Sequence, residues 1–177
     1  MKKINLFLFA LLLLSVSAFA QYQPNKTTGS FLLGVGGGGL SGSGAIPIAV
    51  EYNFHNFTPE IQAGVMGAFA STSDDYGNGI VSGKWTYTYI VIAAQANYHF
   101  WPKKQIDPFA GLSLGYNIGS SSFKWNTATT FPAPSSTVGG FFYSFQAGVN
   151  YWFSPKWAGQ IRLGYFPYVG VGVTAAL

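Results

Sequence analysis

Between Gly139 and Tyr165 the sequence reads GGFFYSFQAGVNYWFSPKWAGQIRLGY. From Phe141, alternate residues are Phe, Tyr, Phe, Ala, Val, Tyr and Phe; those between them, from Phe142, are Phe, Ser, Gln, Gly, Asn and Trp. A period of two with unequal faces is the pattern of a strand between two different environments. Ser154-Pro155-Lys156 interrupts it, since proline cannot donate to a ladder and suits a turn. A second alternation follows: Trp157, Gly159, Ile161, Leu163 and Tyr165 on one face, Ala158, Gln160, Arg162 and Gly164 on the other. Two such strands across a tight turn form a hairpin. Its richer face is apolar with aromatic residues at its ends, and that face is assigned to lipid.

Composition makes the assignment general. Charged residues are 8% of the chain, against about 25% in soluble domains. Aromatic residues are 18%, there are 23 glycines, and mean hydropathy is positive. After the first 20 residues the longest purely aliphatic run is Ile90-Val91-Ile92-Ala93-Ala94. A spanning helix needs about 20 apolar residues. A greasy chain without one must close a sheet, so that no backbone group is left unpaired in hydrocarbon.

The N-terminus reads as a processing signal: Met1-Lys2-Lys3, an apolar core from Ile4 to Leu14, and Ala18-Phe19-Ala20 before Gln21. The expected organisation is a cleavable signal peptide over 1–20, a periplasmic lead-in over 21–29 and one barrel over 30–177. Loss of Lys2 and Lys3 lowers the formal charge from +4 to +2. The remaining cations are scattered, which argues against a nucleic-acid partner. Cysteine is absent, which excludes disulfides, thiolate metal sites and a lipoprotein anchor.

The alternation predicts eight strands, near 30–38, 45–54, 60–70, 85–100, 109–118, 141–153, 157–165 and 168–177. Connections alternate between Pro-containing short turns (55–59, 101–108, 154–156) and generally longer Gly- and Ser-rich loops (36–44, 71–84, 119–138); Phe166-Pro167 is a short exception. Short periplasmic turns and longer outer loops are the pattern of a membrane barrel. Aromatic residues gather at both ends as girdles: Tyr52, Phe54, Tyr98, Phe100, Trp101, Tyr151, Phe153 and Trp157 at one, Trp85, Tyr87, Tyr89, Tyr116, Phe141, Tyr143, Tyr165 and Tyr168 at the other. A soluble lipocalin-like barrel would need charges on its outer face, and these strands carry very few.

The signal up to Ala20, the unit from Trp101-Pro102 to Asn117 and the unit from Asn150 to Tyr165 together resemble the small eight-stranded outer-membrane barrels, OmpA/OmpX-like, of bacteria with two membranes. The resemblance covers nearly all of the mature chain. It implies an all-β, closed, antiparallel, up-and-down transmembrane barrel in the outer membrane. It also implies lipid and lipopolysaccharide as surroundings, and barrel-assembly machinery and periplasmic chaperones as partners in biogenesis. Such barrels usually end in an aromatic residue; this sequence ends in Leu177, with the alternation into that position intact.

Several motif matches lack their context. Gly34 to Gly39 fits G-x-G-x-x-G, but Leu40-Ser41-Gly42-Ser43-Gly44 follows where a helix is needed. Gly111 to Gly115 fits G-x-S-x-G around Ser113, but no Asp, Glu or His comes later. Asp74 to Gly79 hints at a calcium loop, with Tyr76 at a ligand position and Trp85 where the bidentate Glu belongs; it reads as a solvated hairpin tip. His55 and His99 fall at short-turn strand ends, where an interfacial or solvated imidazole is expected. The reading therefore has no metal, no cofactor and no catalytic residue.

Two constellations remain. Glu51 and Arg162 share a depth and both point inward. A narrow barrel is filled by side chains, and a lone charge there is costly. A polar lumen network is expected from Glu51 and Arg162 with Gln62, Gln95, Asn97, Gln146, Asn150 and Gln160, the alternative being charges that meet lumen water. The loop 119–138 carries Phe123, Lys124, Trp125 and Phe131 as candidate surface contacts, against a mobile loop or aromatics at the lipopolysaccharide interface. A structural or surface-binding barrel with a filled lumen is the leading reading; a small pore and a lipid A-modifying enzyme are the alternatives.

Overall fold

The computed structural model describes residues 27–38, 40, 44–77, 82–102, 104–126 and 132–177. Within them run β1 (Thr28–Val35), β2 (Ile48–Asn56), β3 (Ile61–Gly77), β4 (Ser82–His99), β5 (Ile106–Trp125), β6 (Gly139–Trp152), β7 (Trp157–Gly164) and β8 (Val169–Ala176). Each strand pairs antiparallel with the next. β1 closes on β8 from Thr28–Ala176 to Val35–Val169, so the sheet is a closed barrel. The expected signal peptide lies outside the described residues, as does most of the expected lead-in. β1 begins inside that lead-in, because Thr28 and Gly29 already pair with Asn53 and Tyr52.

Side-chain direction follows the pleat. Leu112, Val149, Ile161 and Leu163 are exposed on the outer wall, while Gln146 and Arg162 are buried inside. The outer wall is apolar over the barrel body, and the inner wall carries the polar side chains. This is the arrangement that hydrocarbon outside and a filled lumen inside require. At the short-turn end Tyr52, Phe54, Tyr98, Phe100, Trp101, Tyr151, Phe153 and Trp157 all point outward and are exposed.

Two expectations need correction. First, β3, β4 and β5 are longer than their apolar alternation. They run into the expected loops 71–84 and 119–138 and remain paired up to Gly77–Ser82 and Gly83–Trp125. Phe123, Lys124 and Trp125 therefore lie in a strand and not in a loop; Phe131 falls outside the described residues. Asp74 to Gly77, read as part of a hairpin tip, also belong to β3. Second, Trp85, Tyr87 and Tyr89 are not girdle residues. They share the inward parity of Val91, and Tyr89 is buried.

The lumen has three zones. At the short-turn end Trp152, Ala158 and Ala176 form an apolar floor. Polar residues fill the middle. Above them Leu32, Ala49, Met66, Ala68, Val91, Ala93, Phe142 and Phe166 form a second apolar cluster, with Leu40 packed against it. Phe166 reaches this cluster because the β7–β8 connection, Tyr165 to Tyr168, folds into the barrel mouth. The glycines of the first loop make room for it. A Cβ on Gly37 would sit 2.5 Å from the Phe166 ring, and one on Gly38 would overlap Tyr165. The Gly38 N–H donates to the Tyr165 carbonyl at 2.6 Å. The glycine run that mimics a nucleotide loop is thus the seat of an infolded turn.

Candidate functional site

The middle zone of the lumen centres on Arg162. Strand parity carries it inward from β7, and it is 0% exposed. Its Nη1 lies 2.5 Å from Glu51 Oε1, across the barrel on β2. Nη1 also donates to Gln146 Oε1 at 3.0 Å, and Nη2 to Gln160 Oε1 at 3.4 Å. Gln146 Nε2 donates onward to Asn97 Oδ1 at 2.8 Å, and Gln160 Nε2 to Asn150 Oδ1 at 3.0 Å. Six of the eight residues named from the sequence are thereby brought into one chain. The other two, Gln62 and Gln95, fall in a second one: Gln95 Nε2 to Asn53 Oδ1 at 2.6 Å, Asn53 Nδ2 to Thr28 Oγ1 at 3.2 Å, and Thr28 Oγ1 to Gln62 Oε1 at 3.4 Å. The guanidinium also lies over the Phe109 ring, 5.8 Å from its centroid, close enough for a cation–π contact.

His99 departs from expectation. It is buried in the lumen, and its Nδ1 is 2.7 Å from Asp107 Oδ2. Asn150 Nδ2 donates to the same oxygen at 3.2 Å and joins this pair to the Arg162 chain. The sequence reading missed it because Asp107 was placed in a turn, whereas β5 already begins at Ile106. The signal was present: His99 continues the inward series Gln95, Asn97. His55 lies beyond a register shift after Asn53, is exposed, and packs edge-on against Phe57 at 4.5 Å.

Little space remains in this zone. A cavity of about 10 Å³ lies between Thr28, Glu51, Asn53, Gln62, Asn97 and His99, about the room one water needs. Ser113, the centre of the G-x-S-x-G match, is fully buried on the inner wall of β5. It sits mid-strand, paired to Gln95 and Ser144, and not on an elbow.

The second candidate site is the part of β3, β4 and β5 beyond the barrel body. From Ser82 to Tyr89, β4 adds roughly 27 Å of strand at about 3.4 Å per residue. On its inner face Trp85 and Tyr87 are near-parallel with centroids 5.8 Å apart, and Tyr89 continues the series at 6.4 Å. Phe123 meets Trp85 edge-on at 4.9 Å and Trp125 at 4.8 Å, and Tyr76 reaches both Phe123 and Trp125. Phe123 and Trp125 are therefore on the aromatic side of this sheet, while Lys124 faces the other way, paired to Lys84. Desolvation and then the Asp74 carboxylate raise the Tyr87 pKa above the ordinary phenol value.

The model of the outer membrane protein beta-barrel domain matches residues 6–174. No curated protein matches significantly. Among solved structures, a de novo designed transmembrane β-barrel is similar at 12% identity, covering 89% of this chain and 99% of that one, with a TM-score of 0.49. Ail, the attachment invasion locus protein of Yersinia pestis, is similar at 13% identity, covering 84% of this chain and 91% of that one, with a TM-score of 0.41. Ail in complex with the heparin analogue sucrose octasulfate gives 16% identity, 84% and 92% coverage, and a TM-score of 0.39. The family match spans nearly the whole barrel, and the chain belongs to the outer membrane protein beta-barrel domain family of bacterial outer-membrane proteins.

Proposed function

We propose that this outer-membrane barrel conducts nothing and catalyses nothing, and serves as a rigid mount for the β3–β4–β5 extension at the cell surface. The observation that carries the reading is the filled lumen: Trp152 at one end, the Arg162–Glu51 pair in the middle, and Phe166 at the other, each no more than 2% exposed. A pore needs a continuous water path, and among the described residues these side chains stand across the lumen, which supports the non-conducting reading. The short turns then face the periplasm and the extension faces outward. Its inner aromatic column, half-buried and rimmed by hydroxyl and carboxylate groups, suits a surface contact, because aromatic rings supply large contact area at low entropic cost.

Two measurements test this. In a planar bilayer the purified barrel gives no steady single-channel current; regular channels overturn the filled-lumen reading. On arrayed polysaccharides and proteins, vesicles bearing the barrel bind at least one probe that a Trp85→Ser, Phe123→Ser variant does not. Equal binding by both rules the extension out as the contact surface.

A further inference from the structure

The cross-strand rows of the extension sort its charges by face. On the inner side they read Thr72–Tyr87–Ser121, Asp74–Trp85–Phe123 and Tyr76–Gly83–Trp125. On the outer side lies the row Asp75–Lys84–Lys124. Among the described residues of the extension, both lysines face outward, and Asp74 is the one charged side chain on the inner face. Strand parity enforces the separation, because neighbours along a strand point to opposite faces.

Gly83 leaves a bare position in the outermost of these rows, and the Phe123 ring leans across it; a Cβ on Gly83 would overlap that ring. Trp85 stands between Phe123 and Asp74 in its row, with the Tyr87 ring near-parallel to its own. Directly paired residues on one face have Cβ atoms about 4.5–5.5 Å apart, so the Asp74 carboxylate is the immediate neighbour of Trp85. Asp74, Trp85, Tyr87 and Phe123 are half-buried, and Tyr76 is exposed. After desolvation, Asp74 is the next cause of the raised Tyr87 pKa, so its field reaches the ring column. The faces of aromatic rings carry the negative end of the ring quadrupole, and a carboxylate beside them adds to it. Such a surface favours a cation. It favours a planar guanidinium above all, which stacks on a ring and pairs with a carboxylate at once. A neutral sugar would draw on the rings but gain nothing from the charge of Asp74.

We propose that the inner face of the extension binds an arginine-bearing segment of an extracellular polypeptide, the guanidinium lying against Trp85 with Asp74 as its counter-ion. The proposal rests on the surface-contact reading above and adds to it the charge of the partner.

The test titrates the purified barrel, in nanodiscs of zwitterionic lipid, with a labelled Gly-Ser peptide carrying spaced arginines and with the same peptide carrying citrulline at those positions. Citrulline keeps the planar shape and lacks the charge. The wild type binds the arginine peptide about tenfold more tightly. In Asp74→Asn that preference falls about threefold. In Asp75→Asn, one residue on and on the opposite face, it is unchanged. Equal binding of the two peptides by the wild type overturns the proposal, as does a preference lowered equally by both variants. If the two peptides bind alike and a Trp85→Ser, Phe123→Ser variant loses both, the charge requirement falls and the surface-contact reading stands. If that variant binds as the wild type does, both fall. Maltohexaose held in an aromatic-dependent way, with no arginine preference, marks a sugar site and overturns the proposal. Should a variant fail to fold, the wild-type comparison decides alone.

Discussion

Ile90 and Thr88 point to the same side of β4, two residues apart, and they belong to different worlds. Ile90 sits in a row with Phe69 of β3 and Ile118 of β5; Thr88 sits in the next outward row, with Ser71 and Ser120. Beyond it come Ser73–Thr86–Ser122 and then Asp75–Lys84–Lys124. The outer wall thus changes from apolar to hydroxyl to charged within a few steps along three registered strands. Along β4 the inner wall changes in the opposite sense, from Asn97 and Gln95 through Ala93 and Val91 of the upper apolar cluster to Tyr87 and Trp85 in the extension. The same strands keep an apolar outer side throughout the barrel body and only an inner aromatic one in the extension. An apolar exterior suits lipid and a polar one suits water, so the edge of the hydrocarbon falls between the Ile90 and Thr88 rows.

The largest effect is expected at the polar core of the barrel body. Arg162→Met removes the partner of a fully buried carboxylate. It is expected to cost about 3–5 kcal/mol in urea unfolding from detergent or lipid. Arg162→Met combined with Glu51→Gln should recover most of that loss. A single variant that changes stability by less than roughly 0.5 kcal/mol would show that Glu51 does not depend on Arg162.

A charge on the outer wall sharpens the boundary. Ala94→Arg, in the row Val65–Ala94–Leu114 well inside the belt, should cost about 2–4 kcal/mol in a lipid bilayer. Thr86→Arg, on the same face of the same strand but in the extension, should stay within about 0.5 kcal/mol. Similar costs at both positions would erase the distinction between the two regions. Trp85→Ser, too, is expected to leave the barrel body intact. The barrel should keep its heat-modifiable band on a gel and lose less than about 1 kcal/mol, since this ring packs in the extension and not in the lumen.

The eight strands and the two faces of the barrel body were legible because one face meets lipid, which enforces a strict period of two. The depth match of Glu51 and Arg162 followed from counting inward positions away from the short turns. The extension was not legible by that method. Ser71 to Asp75 and Ser120 to Ser122 lack apolar alternation, since both of their faces are polar or small. A weaker sign existed in Trp85-Thr86-Tyr87-Thr88-Tyr89, where β-branched and aromatic residues alternate. Asp107 was lost for another reason: Pro108 suggested a turn, although proline is tolerated near the start of a strand. The infolding of Phe166 had no local signature at all. It depends on the absence of side chains at Gly37 and Gly38, more than 100 residues earlier.

The seam between β1 and β8 fixes when this molecule can finish folding. Thr28 meets Ala176, and the Ser30 hydroxyl lies 2.9 Å from that of Thr174, across a sequence separation of 144 residues. No shorter stretch of chain can join those two edges, so the barrel cannot close before its last strand is in place. Such long-range contact is slow to form, and until it forms both margins of the sheet are open to pairing with the wrong neighbour.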